Sequence, residues 1–142
     1  MSNKDGGLAS TLAAIERARK APRAAITPAL LKSANELALA QKALAETSRD
    51  TGALIDSIEV TPPGHSTPPY SQPGGSRVAG ETEVIVTAGN TDVRYAHLVE
   101  FGTAKAEAQP FFWPAFRLLR KRLQNRINRV TKKAVKEAWN KS

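Results

Sequence analysis

TDVRYAHLVEFGTAKAEAQPFFWPAFR, residues 91–117, is the stretch on which the fold turns. It holds six of the chain's eight Phe, Tyr and Trp residues: Tyr95, Phe101, Phe111, Phe112, Trp113 and Phe116. Val93 to Phe101 has the spacing of a short helix, with Tyr95, Leu98 and Val99 at i, i+3 and i+4 on one apolar face. Asn90, Thr91 and Asp92 are cap candidates, because their short polar side chains can accept from first-turn N–H groups. Gly102 stands where a helix leaves through a left-handed residue, a conformation that glycine adopts without steric penalty. Thr103 to Gln109 is a small-residue connector. Pro110 and Pro114 stiffen the chain around Phe111, Phe112 and Trp113. Pro114 also suits the first turn of a following helix, where its missing N–H is not needed. The segment predicts two helices joined by an aromatic anchor, and neither a nucleotide loop nor a metal site.

On its C-terminal side, Pro114 to about Asn140 predicts a long helix. Phe116, Leu119, Leu123, Ile127, Val130, Ala134 and Ala138 recur at intervals of three and four, a sustained apolar stripe. The other faces are basic: Arg117, Arg120, Lys121, Arg122, Arg126, Arg129, Lys132, Lys133, Lys136 and Lys141, with Glu137 the only acid. The chain as a whole carries a net charge of +8, so this one helix holds the entire excess. A helix this long in a chain of 142 residues is expected to project its far half towards a partner. The basic residues Arg117 to Lys136 are candidates for contact with DNA or with an acidic protein surface. Phosphate neutralisation would make DNA binding steeply salt-dependent. No helix-turn-helix or similar base-reading motif accompanies them, and a solvated basic face accounts for them equally.

On the N-terminal side, Glu81 to Ala88 is the best strand, with Val84, Val86 and Ala88 facing one way and Ile85 and Thr87 the other. Ala53 to Thr61 reads as a second strand, antiparallel to it. Between them Pro62 to Gly80 holds five prolines and four glycines and predicts a long loop without regular structure. It is either a mobile hairpin tip or a loop that orders on assembly. Further upstream Leu8, Leu12, Ile15 and Ala18 predict a helix ended or kinked by Pro22. Thr27-Pro28 then restarts a second helix that runs to about Glu46. Leu30, Ala34, Leu37, Ala38 and Leu44 make its apolar face, with Gln41 the polar exception. Ser2 to Gly7 reads as a loose terminus.

Chemistry is sparse. There is no cysteine, which excludes disulfides and thiolate metal sites. The N-terminus lacks the apolar run of a signal peptide, and no stretch approaches a membrane span, so a cytoplasmic site of synthesis and use is expected. His97 and Glu100, at i and i+3, lack a third metal ligand. Ser57, Asp56 and His65 can be drawn as a triad, but nothing around Ser57 resembles a nucleophile elbow. No catalytic constellation, cofactor site or metal site is predicted.

Two blocks of residues carry a resemblance. The first is Tyr95-Ala96, Val99-Glu100-Phe101-Gly102-Thr103, then Gln109-Pro110-Phe111-Phe112 with Pro114-Ala115. The second is Asp50-Thr51-Gly52-Ala53-Leu54 with Ser57-Ile58, similar to a Thr-Gly-x-Leu-x-x-Ser-Ile segment that follows a long first helix. In this order, across about Pro28 to Leu123, the chain resembles the tail-component proteins of tailed bacteriophages, the neck or tail-completion proteins of lambdoid siphophages and their relatives. The resemblance implies a structural, non-enzymatic virion protein that forms a ring of identical subunits in the neck, completing the tail or joining it to the head. Implied partners are further copies of itself, adjacent neck, connector, tail-terminator or tail-tube proteins, and packaged DNA in the lumen, with no membrane. Assembly would take place in the host cytoplasm. Tyr95, Glu100, Phe101, Gly102, Phe111, Phe112, Trp113 and Pro114 would serve folding and subunit or partner interfaces. Loop 62–80 would order against a neighbour. The alternative is a basic DNA-binding accessory or another virion morphogenesis protein. The expected fold is α+β in a single domain: N-terminal helices, a small antiparallel sheet with a long Pro/Gly-rich loop, a short helix and a long basic C-terminal helix.

Overall fold

The computed structural model describes residues 7–46, 52–102, 104, 108 and 110–140, and the backbone alone at His97. Most of the 103–109 connector and the 1–6 terminus expected to be loose lie outside them, as do Asp50, Thr51 and Lys141. The fold is α+β and mostly helical. In chain order come α1 (Leu8–Ala45), α2 (Gly52–Asp56), β1 (Glu59–Thr61), β2 (Ile85–Thr87), α3 (Ala96–Phe101) and α4 (Phe112–Asn140).

The two long helices lie antiparallel. α4 begins beside Gln41, whose Nε2 donates to the Phe112 carbonyl oxygen at 3.3 Å, and ends beside Arg17, whose Nε donates to Ala138 at 3.3 Å. Together they form a two-helix rod, and the elements between them form a head at one end. The apolar stripe of α4 faces α1 as its spacing predicts: Leu123 and Ala138 are buried, and Phe116, Leu119, Ile127, Val130 and Ala134 are half-buried. Leu37, Ala115 and Leu123 form the rod's own buried cluster.

Two expectations change here, and one causes the other. Pro22 does not end a first helix, and Thr27-Pro28 does not start a second: both prolines lie inside the unbroken α1. Each removes one helical N–H and crowds the carbonyl four residues back, at a cost of about 3 kcal/mol in an isolated helix. Packing against α4, dense from Ala29 onward and reaching the Arg17–Ala138 contact, works against that cost, although Leu8, Leu12 and Ile15 of the predicted stripe stay exposed. Because α1 is continuous, it covers α4 to its end, and the far half of α4 packs instead of projecting.

The head is built on a small core of Leu54, Ile58, Ala88, Val93, Ala96, Phe111 and Phe112, closed by Ala38 and Ala45 of α1. The expected strand 53–61 is half helix. Leu54, Ser57 and Ile58, at i, i+3 and i+4, are all buried, so the helical period wins up to Asp56 and only Glu59–Thr61 is extended. β1 pairs antiparallel with β2 as predicted, with Glu59 opposite Thr87, Val60 opposite Val86 and Thr61 opposite Ile85. The 81–88 strand shortens to 85–87, followed by a bridge from Ala88 to Gln72. Residues 62–80 contain no named helix or strand, in keeping with their composition, but the loop is tied to itself. Ser66 bridges Val78, and Thr67 Oγ1 donates to Gly75 and accepts from the Arg77 N–H.

The turn after β2 depends on Gly89, whose φ is +95° and whose N–H donates to Ser57 Oγ at 3.0 Å. A Cβ there would sit 2.9 Å from the Val93 carbonyl oxygen and 3.5 Å from that of Tyr70. Gly89→Ala is therefore expected to cost about 2–3 kcal/mol, combining left-handed strain with a backbone clash. Urea unfolding followed by circular dichroism checks it.

Candidate assembly surface

α3 ends at Phe101, and Gly102 takes φ +77° and ψ 173°, a conformation essentially reserved for glycine. It is not the left-handed helical exit expected from the sequence, but it needs glycine for the same reason. The N-terminus of α4 lies beside the last turn of α3. There the buried Glu100 carboxylate accepts three backbone hydrogen bonds: Oε2 from Phe111 at 2.7 Å and Phe112 at 3.0 Å, and Oε1 from Trp113 at 3.0 Å. These are among the N–H groups a helix start leaves without partners, and a negative charge at that end also complements the helix dipole. Glu100 is thus the cap of α4, supplied from another helix. Asn90, by contrast, turns the chain before α3: its Oδ1 accepts from the Asp92 and Val93 N–H groups.

The motif aromatics divide. Phe111, 1% exposed, and Phe112 are core, while Trp113, Pro114 and Tyr95 are half-buried. Phe112 and Trp113 meet edge to face at 5.0 Å, as do Trp113 and Phe116 at 6.0 Å. Phe101 is 71% exposed at the rim of a cavity of about 210 Å³, which Pro73, Ala96, Phe111 and Trp113 also line. Leu98, on the predicted apolar face of α3, is exposed as well. Tyr70 has φ +62° and lies under the Arg94 guanidinium, 3.8 Å from its ring centre.

The basic residues divide in the same way. Arg126 is only 11% exposed; it donates to Ser33 Oγ at 3.2 Å and to Glu36 Oε2 at 2.6 Å. Arg122 reaches the other oxygen of Glu36 at 2.9 Å. Both therefore staple α4 to α1. Lys133 pairs loosely with Glu137 at 3.9 Å. Among the described residues, Arg117, Arg120, Lys121, Arg129, Lys132 and Lys136 are exposed and have no such partner. Sequence spacing supplies all nine candidates but not this division, which depends on where Glu36 falls on the opposite helix.

The hydrogen bond from Arg126, helped by nearby Arg122, holds the Glu36 carboxyl below the usual carboxylate range. A lowered folded value means that the staple stabilises fully above the unfolded carboxylate value, about 4.3. That stabilisation is lost as pH falls below it. Glu36→Gln is expected to flatten this part of the acid-unfolding curve, as read from denaturation midpoints between pH 3 and 6.

Three of the polar residues in question have structural roles. Ser57 Oγ donates to the Leu54 carbonyl at 2.6 Å and accepts from Gly89, so its hydroxyl is fully engaged. Gln41, fully buried, ties α1 to the start of α4. The Glu100 carboxylate is committed to α4, and the His97 side chain is outside the described residues. No described helix is long and apolar enough to cross a membrane.

The described residues thus form a two-helix rod whose small head is fixed to it by Glu100, with exposed charge on both. Residues 9–102 match the family described as Bacteriophage HK97-gp10, putative tail-component, and the chain belongs to that family, a family of phage structural proteins. The match starts earlier than the Pro28 to Leu123 resemblance and stops at Gly102, before the aromatic anchor and α4. No curated protein and no solved structure matches the chain.

Proposed function

We propose that this protein is a neck or tail-completion subunit of a tailed phage, forming a ring that completes the tail or joins it to the head. Family membership across residues 9–102 carries the reading. The arrangement of the molecule supports it: the second-block residues Leu54, Ser57 and Ile58 are buried in the head, and Glu100 locks the head to the rod. Such a protein acts by geometry and not by catalysis. Heterologous contacts repeat around an axis until they close, and loop 62–80, Phe101 and the half-buried Trp113 and Pro114 meet neighbouring subunits or rings. Its place is the virion, built from parts made in the host cytoplasm. Particles produced with this gene deleted and all others intact test the reading by electron microscopy. Filled heads lying apart from finished tails are expected; joined, infectious particles would sink it.

One observation favours a second reading. The six cations of α4 that have no partner among the described residues suit a polyanion, in the ring's lumen or on a free DNA-binding accessory. That reading predicts duplex binding by the purified protein that weakens steeply with salt.

A further inference from the structure

The charges of this molecule are segregated, and their pairing leaves opposite signs unspent on the rod and on the head. Within the rod, α1 carries six bases and two acids, and α4 nine bases and one acid. All three rod acids are occupied by rod cations: Glu16 by Arg19 and Lys20, Glu36 by Arg122 and Arg126, and Glu137 by Lys133. The intervening residues, 46–111, carry nine acids and four bases. Here the described bases are the ones engaged. Arg77 makes a paired contact with Glu83 at 2.9 and 3.0 Å, and Arg94 covers Tyr70 while donating to the Thr91 carbonyl. Asp56, Glu59, Glu81 and Asp92 are exposed and, among the described residues, have no partner. Among the described residues, folding therefore engages the rod's acids and the head's bases Arg77 and Arg94, and leaves exposed cations on the rod and exposed acids on the head.

We infer that the acidic head of one copy docks on the basic outer face of α4 of the next copy. Complementary charge on two different surfaces of one chain favours a head-to-rod contact over a rod-to-rod one, which would set like charges together. A contact between two different surfaces is heterologous, and it propagates until it closes. Apolar side chains stand ready on both sides. The head offers Phe101 and Leu98, and the outer face of α4 offers Leu118, 79% exposed. This contact rests on the ring reading above and supplies its repeating interface. It also sets the occupant of the α4 face: another subunit and not DNA.

The test is sedimentation velocity of the full chain at low and high salt, with two double charge reversals at exposed, unpaired positions. Lys132→Glu with Lys136→Glu reverses the rod, and Glu59→Lys with Glu81→Lys reverses the head. The wild type is expected to self-associate at low salt and to dissociate as salt rises past physiological strength, where charges are screened beyond about 8 Å. Each reversal alone is expected to weaken association by roughly 100-fold, the scale of like-charge juxtaposition. An equimolar mixture of the two variants recovers it, because each then offers the other a complementary surface; so does the chain carrying all four changes. Circular dichroism melts identical to wild type show that the variants fold. A monomeric wild type, reversals without effect, or a mixture that stays monomeric overturns the contact. Loss of duplex binding in the rod variant with no association in any sample hands the α4 face to DNA. The gene-deletion particles report on the ring reading separately, since they fail to join whichever surface the subunits use.

Discussion

Glu100→Ala is expected to lower the unfolding free energy by about 3–5 kcal/mol, because it orphans three N–H groups at once, each costing about 1–3 kcal/mol when buried and unpaired. Loss of the negative charge at the start of α4 adds a smaller dipole term. At about 4 °C per kcal/mol for a domain of this size, the melting midpoint should fall by roughly 15 °C. Glu100→Gln keeps one acceptor oxygen and turns an amide N–H towards donors, so about half the loss is expected. Glu81→Ala, an exposed acid of the same head, should stay within about 0.5 kcal/mol of wild type. Thermal and urea denaturation followed at the helical band decides it. A Glu100→Ala protein as stable as Glu81→Ala would show that α4 does not depend on this carboxylate.

Phe111→Ala is the companion test, with an expected loss of about 3–5 kcal/mol from the cavity left in the head core. Phe111→Leu should cost less, about 1–2 kcal/mol, since most of the volume is kept. Phe101→Ala, ten residues earlier in the same motif, should leave stability within about 0.5 kcal/mol, because that ring is 71% exposed. Equilibrium urea unfolding measures all three. Equal losses at Phe101 and Phe111 would contradict the division of the motif into a buried part and a presented part.

The sequence was most informative where one face of an element is buried along its length. The stripe from Phe116 to Ala138 repeats often enough that only α4 fits it, and the alternation through Ile85, Val86 and Thr87 likewise places a strand. It misled where a local penalty opposes a distant gain. Pro22 and Pro28 are strong local stops, and the surface that outweighs them lies more than 80 residues away in α4. At 53–61 alternation and helical spacing overlap, and burial of Ser57 beside Leu54 decides between them. The role of Glu100 was not legible as chemistry, because it exists only once the start of α4 lies beside the last turn of α3. Net charge could be counted from the sequence, but not which charges survive folding unpaired.

The rod has a consequence for how the chain comes to be folded. α1 precedes α4 in the chain by the whole head, so α1 leaves the ribosome long before α4 exists to meet it. Alone, α1 carries two internal prolines and little amphipathic bias beyond its alanines, and its first half gains too little to stay helical. The head can close meanwhile, since its contacts are nearer in sequence, and in doing so it anchors Ala38 and Ala45 of α1. Synthesis of α4 then lets the pair zip from Gln41–Phe112 outward to Arg17–Ala138. The layout predicts an order in which the head closes first and the rod follows, with the Leu8–Arg17 end expected to be the first to exchange its amide protons, as hydrogen-exchange measurements check.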